Sequence, residues 1–174
     1  MSTTVDSDLF LGGQAAHARA AAGAVVVEPV RLRDLRAVAR LQRRCFRSML
    51  AYRYSTLLLL WAWPRATFLV ARSGDRIAGC VIGDFQGGQS RVINICVDPD
   101  ARRQRVGSRL LAAIERALPR GDVMLMVEQQ NAAAKRLYEH AGYASVGTSV
   151  NYYGRGRDGV WMQKNRTRPP ATPS

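Results

Sequence analysis

The sequence predicts an α/β (α+β) domain built as layers around one mixed sheet. Two observations support this fold class. The first is the order of elements, which runs strand, two helices, three strands, helix, strand, short helix and closing hairpin. The second is size and composition, since 174 residues with 47% hydrophobic content suffice for one buried core. Strands and helices mixed in this order pack as helices against a sheet.

The first half contains a strand, two helices and three strands. "VVVEPVRL" (25–32) is typical of a strand, and Asp34 can cap a helix through "LRAVARLQRRCF". Apolar residues recur there at helical spacing, namely Leu35, Val38, Leu41 and Phe46. A second helix covers about 55–63 and ends at Pro64. The strands "TFLVAR", "RIAGCVIGDF" and "SRVINICV" follow, joined by the hairpin turns "SGD" and "QGGQ".

The second half predicts a helix, a strand, a short helix and a final hairpin. The helix, about 107–118, buries apolar residues at helical spacing: Val106, Leu110, Leu111, Ile114 and Leu118. After the strand "DVMLMVE", Asn131 caps a helix over 132–141 that Gly142 terminates. "YASVGTSVNYY" and "GVWMQK" form the hairpin. We place the folded domain at 25–164, between an Ala/Gly-rich tail (1–24) and a Pro-rich tail (165–174).

Charge and cysteine content limit the possible partners. The net charge of +13 comes almost entirely from arginine, which favours acidic partners, although a solvated basic surface explains it equally well. Nucleic acid is not expected, because basic and aromatic residues do not interleave along one element. Cys45, Cys80 and Cys96 are widely spaced, which indicates reduced thiols in a cytoplasmic chain and no metal site.

The longest apolar run, "LLLLWAW" (57–63), is far too short to span a bilayer. No basic segment with an apolar stretch and cleavage site opens the sequence, so no secretory signal is evident. We therefore expect a cytoplasmic protein without a membrane partner. Monomer and homodimer both stay open.

The stretch "VDPDARRQRVGSRLL" places Arg102, Arg103 and Arg105 at the start of a helix. The preceding strand ends at Pro99, which cannot continue a central ladder. Free backbone N–H groups at a helix start, beyond the carboxyl end of a strand, form an anion site that suits a pyrophosphate. The arginines then add charge-assisted bonds to phosphate. The alternative is that they simply extend into water.

Two motifs together, "VDPxxRxxxxGxxLL" and "NxxAxxLYxxxGY", resemble the GCN5-related N-acetyltransferase (GNAT) superfamily over about 26–164. The tail "VNYYGRGRDGVWM" is similar to the closing hairpin of RimI-type (ribosomal-protein-alanine) N-terminal acetyltransferases. The resemblance implies a GNAT fold, with a mixed, mostly antiparallel sheet, flanking helices and splayed central strands. It also implies acetyl transfer from acetyl-CoA to a primary amine, with a protein or peptide N-terminus as preferred acceptor. The alternatives are a small-molecule amine, or a catalytically idle acyl-CoA-binding or nucleic-acid-associated protein.

The same resemblance assigns roles to individual residues. The backbone of Ile95, Cys96 and Val97 would pair with the pantetheine arm, and Asn131 would also reach it. Tyr138 would stand beside the sulfur and protonate the leaving thiolate. The pyrophosphate would rest on six consecutive residues: Arg103, Gln104, Arg105, Val106, Gly107 and Ser108.

The sequence departs from the family pattern at three places. Arg105 stands where the phosphate loop usually has glycine, and we expect its guanidinium to fold over a phosphate rather than distort the loop. Met126 stands where RimI-like enzymes have a glutamate. Glu128, two residues on, is the candidate base acting through a water, or else a surface carboxylate. The acceptor region lacks a RimI-like match; its aromatic and Met side chains either line a pocket or pack internally: Met49, Tyr52, Tyr54, Trp61 and Trp63.

Overall fold

A seven-stranded sheet forms the centre of the computed structural model, which describes residues 24–46, 51–119 and 121–166. The strands lie in the order β1-β2-β3-β4-β5-β7-β6. Only the β4–β5 pair is parallel among these described strands, which confirms the predicted mixed, mostly antiparallel sheet. Their bounds are β1 Val26–Pro29, β2 Ala66–Ser73, β3 Arg76–Gln86, β4 Gln89–Val97, β5 Val123–Glu128, β6 Ala144–Ser149 and β7 Gly159–Lys164.

Helices cover both faces of the sheet. Side chains of α1 (Leu35–Cys45) and α2 (Tyr54–Ala62) join one apolar core, and those of α3 (Val106–Ala117) and α4 (Ala132–His140) join another. Strand alternation explains the division, since Phe68 and Val70 of β2 enter the first core and Leu69 and Ala71 the second. In the part of the chain that the structure describes, no helix is long and apolar enough to cross a membrane.

The predicted buried side of α3 is confirmed. Leu110, Leu111 and Ile114 are fully buried, and Val106 and Leu118 are nearly so. Burying one such side chain contributes about 1.5–3 kcal/mol. This packing fixes the position of the first turn of α3 against β2, β3 and β4.

Asp34 does not cap α1 as expected. Its Oδ2 atom accepts hydrogen bonds from the Arg31 backbone N–H (3.0 Å) and from Arg72 Nη2 (2.9 Å). The reason lies in the backbone, because a short 3₁₀ turn, Leu32–Asp34, runs directly into α1. Asp34 therefore has helical dihedral angles, whereas an N-cap side chain needs an extended backbone. The carboxylate instead joins this turn to β2.

The predicted tails, 1–24 and 165–174, lie outside the described residues except for Ala24, Asn165 and Arg166. Arg166 donates side-chain hydrogen bonds to the carbonyl oxygens of Glu115, Pro119 and Gly121. The chain thus stays attached to the end of α3 for two residues beyond β7.

Candidate active site

A gap opens between the two central strands, β4 and β5. The strands pair over three residues only, and a bulge follows at once, because the register against β3 leaves Ile93 without an opposite residue. Bulges bend a strand and increase its twist. β4 therefore diverges from β5, and the predicted splay is confirmed. The three pairs are Ser90–Val123, Arg91–Met124 and Val92–Leu125.

Backbone groups of β4 border this gap. The Asp98 N–H donates to the Ala78 carbonyl on β3 (2.8 Å). Groups of alternate residues point to opposite edges of a strand, so Cys96 also faces β3, while Ile95 and Val97 face the gap. Two of the three residues predicted to meet pantetheine thus present their backbone there. The Val97 carbonyl also accepts a hydrogen bond from the Cys45 thiol (3.3 Å).

The loop after β4 leads into α3 through two left-handed residues. Arg103 has φ 60°, and Arg105, the residue before α3, has φ 59° and ψ 14°. The first N–H groups of a helix have no partner within it. Left-handed residues beside helical ones turn successive N–H groups toward one side and create an anion-binding concavity. Residues 103–108 thus fit a diphosphate at the positive end of α3.

The loop arginines are available to such an anion. Arg102, Arg103 and Arg105 are exposed, and none of their guanidinium groups has a hydrogen bond or ion pair within the described ranges. A left-handed backbone costs a non-glycine residue about 1–2 kcal/mol. Arg105 carries that cost at the position where the family pattern has glycine. The loop keeps the turn that glycine would give and adds a cation.

An ion cluster that sequence reasoning missed holds this loop in place. Asp98 is 4% exposed and accepts from Arg44 (2.7 Å) and Arg76 (3.3 Å). Its other oxygen accepts the Asp100 N–H (3.0 Å). Hydrogen bonds from the same two arginines lower the pKa of Asp100. The spacing Asp-Pro-Asp signals the local turn, but nothing local in the sequence indicates arginines from α1 and β3.

Gly107 brings α3 against α4 and β4. A Cβ atom at this position would lie 3.2 Å from Leu137 Cδ2 and 3.6 Å from Val97 Cγ2. The first value is closer than most side-chain contacts, so any larger residue requires Leu137 to move. Glycine here therefore sets the distance between the phosphate loop and α4.

Asn131 is the N-cap of helix α4, and Tyr138 lies on the buried side of the same helix. The Asn131 side-chain oxygen accepts the Ala134 N–H (3.1 Å), which confirms the N-cap. Tyr138 is buried, and its ring meets that of Tyr143 edge-on at 5.9 Å. Burial raises the pKa of Tyr138 far above its usual range. The phenol therefore keeps its proton at neutral and mildly alkaline pH.

Glu128 lies at the end of β5 in a two-point ion pair. Its oxygens accept from Arg157 Nε (2.6 Å) and Nη2 (2.8 Å). The Arg157 loop is held by its own bonds, including Asn151 N–H to Asp158 (2.8 Å). A carboxylate engaged in this way is a weak proton acceptor. Its catalytic role stays a prediction.

Two tyrosines, Tyr152 and Tyr153, lie near the same end of β5, with their ring centroids 5.0 Å apart. Tyr153 donates to the Met126 carbonyl (3.1 Å), so a phenol lies beside the position where RimI-like enzymes have glutamate. Burial, with nearby Tyr152 and Glu128, raises the pKa of Tyr153 to about 12. Burial, with Tyr152, also raises the pKa of Tyr52. Tyr52 is thus near the Tyr152–Tyr153 pair, although it lies 100 residues earlier in the sequence.

The other aromatic candidates for an acceptor pocket lie elsewhere. Tyr54, Trp61 and Trp63 are exposed on and after α2. Trp63 lines a small cavity together with Leu59, Leu60 and Phe85, and Tyr54 and Trp61 do not line it. Met49 lies outside the described residues.

The cysteines lie together beneath β4 on the α1 side. Cys80 and Cys96 are opposite each other on β3 and β4, with their sulfur atoms 3.4 Å apart. Gln42 Nε2 lies 3.5 Å from the Cys80 sulfur. All three cysteines are free thiols. Residues 24–46, 51–119 and 121–166 contain no group of three His, Cys, Asp or Glu that could hold a metal ion.

Comparison with known proteins gives the same picture. A family model described as "Acetyltransferase (GNAT) family" matches residues 35–143. The catalytic subunit of the N-terminal acetyltransferase B complex of Arabidopsis thaliana is 30% identical over 114 residues, 61% of this chain and 66% of that protein.

Solved structures share the fold. The ribosomal-protein-S18-alanine N-acetyltransferase of Escherichia coli has a TM-score of 0.72 at 23% identity, covering 86% of this chain and 99% of that one. The PaiA N-acetyltransferase of Thermoplasma acidophilum, in complex with coenzyme A, has a TM-score of 0.71 at 16% identity. That alignment covers 82% of this chain and 99% of that one.

Proposed function

This chain belongs to the GNAT family of acetyltransferases, and from that premise we propose that it acetylates the α-amino group of a protein or peptide. It is an acetyl-CoA-dependent N-acetyltransferase. The acceptor and the roles of individual residues form the proposal. The observation that carries it is the gap between β4 and β5, which ends at the left-handed loop before α3.

Each part of acetyl-CoA has a matching surface along this gap. The N–H groups and arginines of 103–108 bind the diphosphate. The backbone of β4 at Ile95 and Val97 pairs with the pantetheine arm, as a neighbouring strand would. The Asn131 carboxamide still has its N–H₂ donors, since its oxygen caps α4. This arrangement leaves the thioester beside Tyr138.

Tyr138 acts as the general acid. The acceptor amine attacks the thioester carbon, and the bond from that carbon to sulfur breaks as the amide forms. The departing thiolate takes the phenolic proton of Tyr138. Tyr138 is protonated at working pH, as any phenol is, and can therefore donate to the thiolate. Burial disfavours the phenolate that this leaves, so Tyr138 must regain a proton as the step is completed. Positioning supplies most of the remaining rate enhancement.

The proton of the amine leaves toward Glu128 through a water. Because Arg157 holds both carboxylate oxygens, the step is assisted only modestly. An α-amino group has a pKa near 8, so about a tenth is already neutral at pH 7. Catalysis therefore does not require a strong base.

The acceptor proposal rests on three tyrosines and on charge. Tyr52, Tyr152 and Tyr153 offer phenols that can bond the first peptide groups of an extended N-terminus. The Arabidopsis relative is named for N-terminal acetylation. A net charge of +13 repels polyamines and aminoglycosides. The free thiols support the cytoplasmic location that the sequence predicts.

Thiol release from acetyl-CoA tests the proposal directly. The acceptors are one peptide with a free N-terminus, the same peptide with a blocked N-terminus and an internal lysine, and spermidine. We expect release with the first only, and about 100-fold less with Tyr138→Phe. Tyr143→Phe, which changes the neighbouring phenol, serves as the matched control. Stabilisation by acetyl-CoA without release on any amine would instead indicate a binding protein.

A further inference from the structure

Helices α1 and α2 expose a surface that faces solvent, outside the gap between β4 and β5. Every exposed position of α1 is an arginine: Arg36, Arg40, Arg43 and Arg44. Arg44 is bound to Asp98 and Asp100. Arg36, Arg40 and Arg43, which we term the arginine stripe, have no hydrogen bond or ion pair in the described part of the chain. At 100° per residue they lie within a sector of about 60°.

The arginine stripe destabilises α1 by charge repulsion, and no interaction within the described residues compensates for this. Like charges three or four residues apart destabilise a helix. Arg36 also lies in the first turn of α1, where the helix dipole is already positive. Some arginines of the described residues meet carboxylates, as Arg72 does with Glu28 and Asp34, but those of the arginine stripe do not. These features indicate an external anion.

Beside the stripe, α2 exposes apolar side chains. It contacts α1 and buries only a narrow face around Leu57. Leu59 is 62% exposed and Trp63 is 53% exposed, and three further large side chains are exposed: Tyr54, Leu58 and Trp61. Monomeric soluble proteins rarely expose such contiguous patches without a use. Exposed Arg53 and Arg65 stand at the two ends of this helix.

From this juxtaposition we propose that α1 and α2 dock the protein on an anionic phospholipid surface. The described residues of 35–65 include six arginines and no acidic residue. Arg44 is paired with Asp98 and Asp100, and the other five are complementary to lipid phosphates. Leu and Trp side chains enter the boundary between headgroups and acyl chains, and arginines remain at the level of the phosphates. A helix lying on a membrane does not need the length that spanning requires. The shortness of the run 57–63 therefore does not exclude this partner.

Other occupants fit less well. A second copy of this chain offers no carboxylate from either helix to meet the arginines. A single-stranded RNA would use the arginines and the aromatic rings, but it leaves Leu58 and Leu59 in water. A lipid surface accounts for all of the exposed side chains.

Vesicle binding of the full chain tests the proposal. The probes are vesicles of phosphatidylcholine alone and of phosphatidylcholine with phosphatidylglycerol at about 3:1. We expect sedimentation with the second only, weakened by salt. In the Trp161→Phe variant the fluorescence arises from Trp61 and Trp63, and its emission should shift to shorter wavelength on binding. The chain has three tryptophans, so this variant isolates the proposed contact.

Two matched pairs of variants locate the contact. Arg36→Gln, Arg40→Gln and Arg43→Gln together should weaken partitioning about 100-fold, at about 1 kcal/mol for each arginine. Removing the same charge at Arg116, Arg136 and Arg155 should have little effect. Likewise, Leu59→Ser with Trp63→Ser should reduce binding strongly, whereas Val146→Ser with Val150→Ser, also exposed, should not.

Three results would overturn the proposal. The first is no binding, or equal loss in both members of a pair. The second is displacement from vesicles by a 20-nucleotide RNA through the same residues, which would assign the surface to nucleic acid. The third is self-association through Leu59 and Trp63 in the absence of lipid. Peptide acetylation in solution is measured alongside, so that failure of the proposed activity is recognised separately.

Discussion

Arg105 combines a backbone that suits glycine with a side chain that suits phosphate, and substitution separates the two. Arg105→Gly relieves the left-handed strain, so we expect the free energy of unfolding to rise by about 0.5–1 kcal/mol. It also removes the cation, and the Kd for acetyl-CoA should rise several-fold. Arg105→Glu should weaken binding at least tenfold, about 1.4 kcal/mol. Urea unfolding and calorimetric titration measure these effects.

Arg102 provides the control for this prediction. Its backbone is extended, with φ −66° and ψ 159°, so a glycine there relieves no strain. It only raises the conformational entropy of the unfolded chain. Arg102→Gly should therefore lower the unfolding free energy. Equal stability changes at 102 and 105 would contradict the argument.

The Glu128–Arg157 pair makes a second prediction at the residue scale. If Glu128 receives the proton of the amine, Glu128→Gln should lower kcat most below about pH 8, where the acceptor is largely protonated, and least above it. Arg157→Lys keeps the charge but loses the two-point bond. It should raise KM by displacing the loop without changing the shape of the kcat profile. A pH-independent loss in Glu128→Gln would assign Glu128 a structural role only.

The contact between α3 and α4 makes a prediction at the scale of elements. Gly107→Ala places a methyl group 3.2 Å from Leu137 Cδ2, so the start of α3 must move or Leu137 must turn. We expect about tenfold weaker acetyl-CoA binding, since the amides of 103–108 move with α3. Leu137→Ala makes space, and the double variant should recover most of the affinity. The coupling energy expected is about 0.5–3 kcal/mol.

Local sequence patterns predict the helices and strands, but they do not predict the ion pairs that join distant elements. The helical spacing of Leu110, Leu111 and Ile114 sufficed to place α3, because burial of that stripe dominates its position. The N-cap at Asn131 was predictable for the same reason, because its hydrogen-bond partner lies only three residues away. The bonds from Arg44 to Asp98 and from Arg157 to Glu128 join residues 54 and 29 positions apart. A charged side chain carries no sequence signal of its distant partner.

Arg105 and the surface of α1 and α2 show two different limits of sequence reasoning. For Arg105 the family pattern located the loop, yet only the dihedral angles establish that arginine adopts the turn. For α1 and α2 the arginines and the tryptophans lie in separate segments of sequence. Contact between the two helices brings these segments side by side.

At the scale of the whole molecule, buried tyrosines predict alkaline instability. Burial raises the pKa of Tyr138, Tyr143 and Tyr153 in the folded state above the unfolded value near 10. Above pH 10 the unfolded chain loses these protons first, so the folded state binds more protons. Stability is therefore fully present below pH 10 and falls as pH rises beyond it, by about 1.4 kcal/mol per pH unit for each group.

Urea unfolding between pH 8 and 11 tests this slope. Tyr138→Phe should make the decline shallower by one group, because phenylalanine has no proton to lose. Tyr54→Phe, at a 40% exposed position, should leave it unchanged. A decline that is the same in all three proteins would mean that other groups cause it.

The three residue pairs that join β4 to β5 are the narrowest connection within the sheet. These pairs alone join the strands β1 to β4 to the strands β5 to β7 in the described sheet, and we call them the seam. Because few hydrogen bonds join the two portions there, we expect any motion between them to pivot near the Val92–Leu125 pair. A bound pantetheine arm bridges the seam along its open length, and we expect amide hydrogen exchange to slow on both sides of it together. Acetyl-CoA would then rigidify the sheet as well as supply the acetyl group.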